Sequence, residues 1–116
     1  MARLTSDFYV SQLIRRVAGE GGFAAIAKKG ATEAGAIYIV VRDRSGALRL
    51  FAPAPQQSYK DQRPTDRLFL KIEHVASDED INKFAETEKR FDPDFWLVEL
   101  EIAAGQSQLP FETTTL

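Results

Sequence analysis

The sequence AIYIVVR, residues 36–42, contains the longest apolar run of the chain. Its β-branched and aromatic residues favour a strand, and the run is far too short to cross a membrane. Polar and apolar residues do not alternate along it, which is typical of a central strand that is covered on both faces. This stretch therefore predicts the middle of a sheet, and the flanking segments are assigned relative to it.

Alternating apolar residues on both sides of this stretch predict the other strands of the sheet. Gly46 tolerates positive φ in the turn at 43–46, which favours a hairpin into the next strand. The most N-terminal strand is rich in alanine, so a helix is the alternative there, and the flanking glycines favour the strand. The sheet is expected to have five strands and to be antiparallel or mixed. The predicted strands span residues 23–29, 36–42, 48–52, 68–73 and 95–102.

Two segments with apolar residues at helical spacing flank the predicted strands. The first follows Thr5 and Ser6, either of which can cap a helix, and ends at the glycines of 19–22. The second follows the capping residue Ser77 and ends before the Asp-Pro pair at 92–93. The predicted order is α-β-β-β-β-α-β. This order indicates an α+β fold, with both helices expected on one face of the sheet.

Length and composition predict one domain in the cytoplasm. The chain has 116 residues, which is near the usual size of a single domain. It contains no cysteine, which excludes disulfides, thiolate metal sites and cysteine nucleophiles. The first residues lack the basic-then-apolar pattern of a secretory signal. We expect a domain over residues 1–103, a flexible C-terminal tail over 104–116, and no cofactor.

A polar segment between prolines, residues 53–67, is the first candidate site. Proline has no backbone N–H to donate, so this segment is predicted to be a loop. Loops of this length inside a small domain are often functional, and its cationic and aromatic residues suit an anionic ligand or a protein partner. A connection without function is the alternative. The candidate residues are Tyr59, Lys60, Arg63 and Arg67.

Basic residues around the predicted hairpin form a second candidate site. Together with nearby aromatic residues they are typical of a surface that contacts nucleic acid. The sequence pI of about 5.4 argues against a dedicated nucleic-acid binder, which usually has a basic domain. The candidate residues are Lys28, Lys29, Arg42, Arg44 and Arg49.

Acidic residues near the end of the chain form a third candidate site. Paired carboxylates can bind magnesium or take part in acid–base catalysis. The alternative is a helix stop followed by the charged solvent face of a strand. The candidate residues are Asp92, Asp94, Glu99 and Glu101.

Three segments resemble a family of short bacterial proteins known as a domain of unknown function. The most specific is the closing segment FDPDFWLVELE at residues 91–101; the others are RLTSDF at 3–8 and EAGAI at 33–37. The resemblance spans about residues 3–102. It implies one small domain of this size, and the family brings no established activity, cofactor or catalytic residue.

No complete catalytic set accompanies these patterns. The leading hypothesis is therefore a non-catalytic binding or protein-interaction module of the bacterial cytoplasm. Its partner would be another protein or a second copy of the chain, joined through an exposed strand edge. The alternatives are a weak nucleic-acid binder that uses the basic hairpin, and a magnesium-dependent enzyme that uses the carboxylate cluster.

Overall fold

The computed structural model describes residues 4–55, 67–106 and 108–115. Within these residues the predicted order α-β-β-β-β-α-β is confirmed, and a short strand follows it. Neither helix of this described part is long and apolar enough to cross a membrane. The elements are α1 (Ser6–Gly19), β1 (Phe23–Lys28), β2 (Ile37–Arg42), β3 (Leu48–Pro53), β4 (Leu68–Ile72), α2 (Asp78–Phe91), β5 (Trp96–Glu101) and β6 (Glu112–Thr113).

The strands form one mixed sheet in the order β1-β5-β2-β3-β4-β6. The last long strand, β5, inserts between β1 and β2; it runs parallel to β2 and antiparallel to β1. In register, Ile39 of β2 lies opposite Val98 of β5 on one side and opposite Phe51 of β3 on the other. The sheet is therefore mixed, as expected, but it has six strands rather than five.

The two helices lie on opposite faces of the sheet, so the prediction that both share one face was wrong. Ile39 and Val41 belong to the core cluster that contains the buried residues of α1. Val40, between them, belongs to the cluster that contains Ile81 of α2. Because successive side chains of a strand point to opposite faces, an uninterrupted apolar strand requires a cover on each side. The apolar run of β2 thus explains the arrangement of the helices.

The helix starts follow the predicted capping residues. Thr5 occupies the N-cap position of α1, with an extended backbone. The Ser77 side chain accepts a 3.1 Å hydrogen bond from the Asp80 backbone N–H at the start of α2. Ser6 has another role, because it is fully buried and its Oγ donates a 2.6 Å hydrogen bond to the Gly35 carbonyl. This bond ties α1 to the loop that leads into β2.

Residues beyond 103 contribute to the sheet and to the core. Within this segment β6 pairs in parallel with β4. The Phe111 ring is buried and packs edge to face against Phe51 and Phe69, with centroid distances of 5.0 and 5.3 Å. An Arg16 Nη also donates a 3.3 Å hydrogen bond to the Pro110 carbonyl. The segment predicted as a tail therefore holds a core side chain against the α1 face.

Candidate functional site

The strand β1 forms one edge of the sheet and exposes apolar side chains there. In the described part of the chain it pairs with β5 along one side only. Phe23 is 62% exposed and Ile26 is 44% exposed, and the alanines at 25 and 27 are exposed as well. An edge strand carries a row of backbone N–H and C=O groups that a further strand can pair with. The edge of β1 therefore combines backbone pairing capacity with an apolar surface.

A tight turn sets β1 in this position directly after α1. Gly21 has a φ of 87°, in the left-handed region that glycine adopts without strain. A Cβ on Gly22 would lie 2.5 Å from the Glu101 carbonyl oxygen, so only glycine fits this close approach. The chain can thus leave the helix and enter the sheet edge within three residues. The glycine cluster was predicted to end the helix. Its second role, the close approach of the chain to β5, could not be predicted because it depends on where β5 lies.

The far end of β1 is fixed through Lys28. Its ammonium group donates to the carbonyls of Pro93 (2.6 Å) and Phe95 (2.9 Å) and lies 4.5 Å from the centre of the Phe95 ring. The register between β1 and β5 also shifts between Ile26 and Lys28. The Lys28 contacts fasten the end of β1 to the turn that precedes β5, and the register shift ends the regular pairing there. Residues 23–26 remain a regular strand, and no other described strand pairs with its outer side.

An open cavity of about 260 Å³ adjoins the start of this edge. It is lined by Gly21, Phe23, Arg44 and Glu101, among others. The cavity therefore places one cation and one anion beside the exposed Phe23 ring. A cavity with such a lining suits a polypeptide segment that carries both polar and apolar groups.

Arg42 and Glu99, which belong to different sequence hypotheses, form one ion-pair network. Arg42 contacts Asp78 at 2.5 Å and Glu99 at 3.4 Å. The hydrogen bond from Arg42 lowers the pKa of the Asp78 carboxyl. The same bond raises the pKa of the Arg42 guanidinium, opposed by a smaller effect of burial. The network joins β2 and β5 to the start of α2, so Arg42 and Glu99 both have a structural role.

The basic residues of the nucleic-acid hypothesis do not share one surface. Val41 pairs with Arg49 and Leu48 pairs with Arg42, so these arginines lie on opposite faces of the sheet. Lys28 lies opposite Leu97, whereas Arg42 lies opposite Glu101. Lys28 and Arg42 are thus four steps apart along β5, about 13 Å at the usual rise per residue. Lys29 follows Lys28 at that far end and Arg44 lies in the hairpin, so the five residues divide between two ends and two faces.

The carboxylates of the magnesium hypothesis bind groups of the same chain or lie apart from one another. The Asp92 side chain accepts a 3.1 Å hydrogen bond from the Asp94 backbone N–H in the turn after α2. Glu99 pairs with Arg42, and Glu101 is exposed at the end of β5. Within the described ranges, no three histidine or acidic side chains lie close enough to hold a metal ion together.

Of the loop candidates, Tyr59, Lys60 and Arg63 lie outside the described residues. Arg67 is described: an Nη donates a 2.7 Å hydrogen bond to the Leu4 carbonyl, and its guanidinium carbon lies 5.2 Å from the centre of the Tyr9 ring. It lines an open groove of about 340 Å³ with Arg16 and residues 108–112. Arg67 thus connects the start of α1 to the start of β4.

The described residues form a small α+β domain whose mixed sheet lies between two helices, with the apolar strand β1 at one edge. The family model for a protein of unknown function, DUF1491, matches residues 4–110. The chain belongs to the DUF1491 family. This confirms the resemblance that the closing segment at 91–101 carries.

Solved structures that are similar to this chain have the same fold. The solution structure of protein Atu0922 from A. tumefaciens is 39% identical, with a TM-score of 0.80, and the match covers 98% of this chain and 97% of that one. A crystal structure of a DUF1491 family protein from Caulobacter crescentus CB15 is 33% identical, with a TM-score of 0.77, covering 96% and 99%. No protein with a curated description matches the chain significantly.

Proposed function

We propose that this chain is a protein-interaction module that binds an extended polypeptide segment by adding it to the sheet at β1. The observation that supports the proposal is the exposed apolar edge, with Phe23 at 62% and Ile26 at 44% exposure. Strand addition obtains affinity from main-chain hydrogen bonds and specificity from the side chains beside the edge. It requires no catalytic residue, in agreement with the leading hypothesis from the sequence.

The two edges of the sheet differ in a way that favours this use of β1. Natural sheets protect their edges with very short strands, charged side chains, prolines or bulges. The opposite edge is β6, a strand of two exposed polar residues, Glu112 and Thr113. By contrast, β1 has six residues, and its one charged residue, Lys28, binds carbonyls of the same chain. The register shift between Ile26 and Lys28 interrupts only the far end of β1, so among the described residues the regular apolar stretch 23–26 lacks these protections.

The experiment compares two lysine substitutions of exposed alanines. Ala25 lies in the middle of β1, and Ala18 lies on the exposed side of α1. Ala25→Lys places a charge on the binding edge, whereas Ala18→Lys adds the same charge elsewhere and is the matched control. Tagged wild-type protein and both variants are incubated with nuclease-treated native bacterial lysate, and captured proteins are quantified by mass spectrometry.

We expect Ala25→Lys to reduce the captured partner at least about tenfold, which corresponds to about 1.4 kcal/mol of binding free energy. Ala18→Lys is expected to capture as much as the wild type. Circular dichroism must show that both variants are folded. Equal capture by a folded Ala25→Lys variant would contradict binding at β1.

The nucleic-acid and magnesium hypotheses stay predictions with their own tests. Nucleic-acid binding should weaken steeply with salt, and charge reversal at Arg42 and Arg49 should weaken it further. Magnesium binding to the folded state should raise the melting temperature. Unchanged affinity after the reversal, or an unchanged melting temperature in millimolar magnesium, would remove the respective hypothesis.

A further inference from the structure

We propose that a cleft beside the β2–β3 hairpin binds a phosphate group through Arg44 and Arg49. The cleft is an open cavity of about 180 Å³, lined by Asp43, Arg44 and Arg49 of the hairpin and by the chain after β5. Guanidinium groups bind phosphate oxygens through paired N–H donors. This inference goes beyond the proposed function, because it uses neither the outer side of β1 nor a protein partner.

The sheet positions Arg49 on the face that α1 covers. Arg49 of β3 lies opposite Val41, whose side chain belongs to the core on the α1 side. Directly opposed residues of an antiparallel pair share one face, so Arg49 lies on that side as well. Its guanidinium carbon is 5.9 Å from the centre of the Phe51 ring. Arg49 therefore stands at the end of the core, where the cleft begins.

Arg44 belongs to the turn of the same hairpin, and internal hydrogen bonds hold that turn. The Gly46 N–H donates a 3.1 Å bond to the Asp43 carbonyl. One carboxylate oxygen of Asp43 accepts three further bonds, from the Ser45 N–H (2.9 Å), the Ser45 hydroxyl (2.6 Å) and the Ala47 N–H (3.0 Å). This oxygen is bound within the hairpin, and the cleft has two cations in its lining against one anion.

The chain after β5 forms the other wall of the cleft. Ile102 and Leu109 pack against the core on the α1 side, which holds this part of the chain in place. Between them, the Gln106 N–H donates a 3.1 Å hydrogen bond to the Ala103 carbonyl in a turn. Gln106 and Gln108 line the cleft and are exposed. Their side-chain amides add neutral hydrogen-bond donors opposite the two arginines.

Arg44 and Arg49 differ from arginines that serve the fold. Arg42 contacts two carboxylates, and Arg16 contacts Glu20. Within the described ranges, neither Arg44 nor Arg49 enters an ion pair. A phosphate group carries a charge of about −1.5 to −2 at pH 7 and three acceptor oxygens, so it can bind both guanidinium groups at once. A carboxylate has one charge and two oxygens, which makes it the weaker ligand for such a pair.

The phosphate can come from a free ion or from a small phosphate ester. The cleft is smaller than the usual site of a drug-sized ligand and has room for little more than the phosphate itself. The cavity of about 260 Å³ beside Phe23 shares Arg44 and residues 102–104 with it. The organic part of an ester would lie in that neighbouring cavity.

An NMR titration tests the site. Nitrogen-15-labelled protein is titrated with inorganic phosphate, ribose 5-phosphate or acetate, with sodium chloride keeping the ionic strength constant. We expect phosphate to shift amide signals of residues 43–49 and 102–109 with a dissociation constant of about 1–10 mM, because so small a ligand makes few contacts. Acetate is expected to bind more weakly.

Three substitutions localise the binding. Arg44→Gln and Arg49→Gln are each expected to weaken phosphate binding at least about tenfold, since each removes charged hydrogen bonds. Arg15→Gln removes the same charge from an exposed site on α1 and is the matched control, with no change expected. The amide spectra of the variants show that they are folded.

The outcomes separate the sources of the phosphate from failure of the inference. Tighter binding of ribose 5-phosphate assigns the site to a phosphate ester, whereas equal binding assigns it to free phosphate, and both support the inference. Amide shifts scattered over the surface, equal binding of acetate, or an equal loss in Arg15→Gln would overturn it. Tighter binding of a single-stranded oligothymidylate than of ribose 5-phosphate would also overturn it, in favour of the nucleic-acid hypothesis.

Discussion

At the scale of single residues, the buried hydroxyl of Ser6 makes a contact that the sequence does not reveal. Its Oγ donates to the Gly35 carbonyl at 2.6 Å, across 29 positions of sequence. Ser6→Ala leaves that carbonyl without this donor inside the protein. We expect a loss of about 1–3 kcal/mol in the free energy of unfolding, measured by urea denaturation.

Ser11 provides the control for this prediction, because it lies exposed in the same helix. Ser11→Ala is expected to change stability by less than about 0.5 kcal/mol. An equal effect of the two substitutions would show that helix propensity, rather than the buried hydrogen bond, determines the result.

Tyr38 makes the free energy of unfolding depend on pH in the alkaline range. Its hydroxyl donates a 3.0 Å hydrogen bond to the Glu88 carboxylate. Burial, followed by the charge of Glu88, raises the Tyr38 pKa well above its ordinary value. The folded state therefore retains the phenolic proton when the unfolded state loses it near pH 10. The stability that this proton contributes is fully present below pH 10 and is lost as the pH rises further.

We expect Tyr38→Phe to be less stable than the wild type at pH 8, because the hydrogen bond is lost. Between pH 9 and pH 11 the wild type is expected to lose about 1 kcal/mol relative to the variant. Urea denaturation of both proteins at pH 8, 9, 10 and 11 measures the difference. A constant difference across this range would mean that Tyr38 has the same pKa in both states.

At the scale of elements, a buried ring helps to hold the C-terminal segment to the sheet. Phe111 is 8% exposed and contacts Phe51 and Phe69. Phe111→Ala is expected to lower the free energy of unfolding by about 3 kcal/mol, since it removes a buried aromatic side chain. Phe8, which is 50% exposed on α1, is the control, and Phe8→Ala should cost less than about 1 kcal/mol. A small effect of Phe111→Ala in urea denaturation would show that this ring contributes little to the core.

The elements could be predicted where local pattern determines them. The Ser77 cap and the acidic first turn predicted α2, and the run of β-branched residues predicted β2. The role of residues 108–113 could not, because the two large apolar residues there, Leu109 and Phe111, stand among polar residues and a proline. Its contacts lie 42 or more positions away, at Phe69 and Phe51. Local periodicity contains no information on such contacts.

The faces of the sheet illustrate the same limit. Short connections favour antiparallel neighbours, and on that basis both helices were expected on one face. The uninterrupted apolar run at 36–41 already required cover on both faces, and this requirement determined the outcome. The more specific local signal was therefore the better guide to the three-dimensional arrangement.

At the scale of the whole molecule, strand order determines which candidate residues can act together. Insertion of β5 between β1 and β2 brings Glu99 to Arg42 and makes β1 an edge. The sequence predicted the charged residues and the strands but not this order, since β2 and β5 are far apart in sequence. The basic and acidic candidate sites were defined by proximity in sequence, and strand order divided them. The sequence predicted an interaction through a strand edge. Which strands form the edges is known only from the strand order of the structure.

The same strand order predicts that the domain unfolds as one cooperative unit. The cores on the two faces share β2 and β5: Val98 belongs to the α1 side and Val40 to the α2 side. Neither helix can leave the sheet without exposing apolar side chains of these central strands. A single domain of this size commonly shows two-state unfolding. We therefore expect coincident urea transitions from far-UV circular dichroism and from the fluorescence of Trp96, which is buried on the α1 side.

Two substitutions on opposite faces test this coupling. Val40 and Val98 are both fully buried, and changing either to alanine should lower the free energy of unfolding by about 2 kcal/mol. Because the faces share their strands, Val40→Ala is expected to shift the Trp96 fluorescence transition as far as the circular dichroism transition, although its side chain lies on the other face. A Val40→Ala variant that loses helical signal while the Trp96 transition stays at the wild-type urea concentration would show two independent cores.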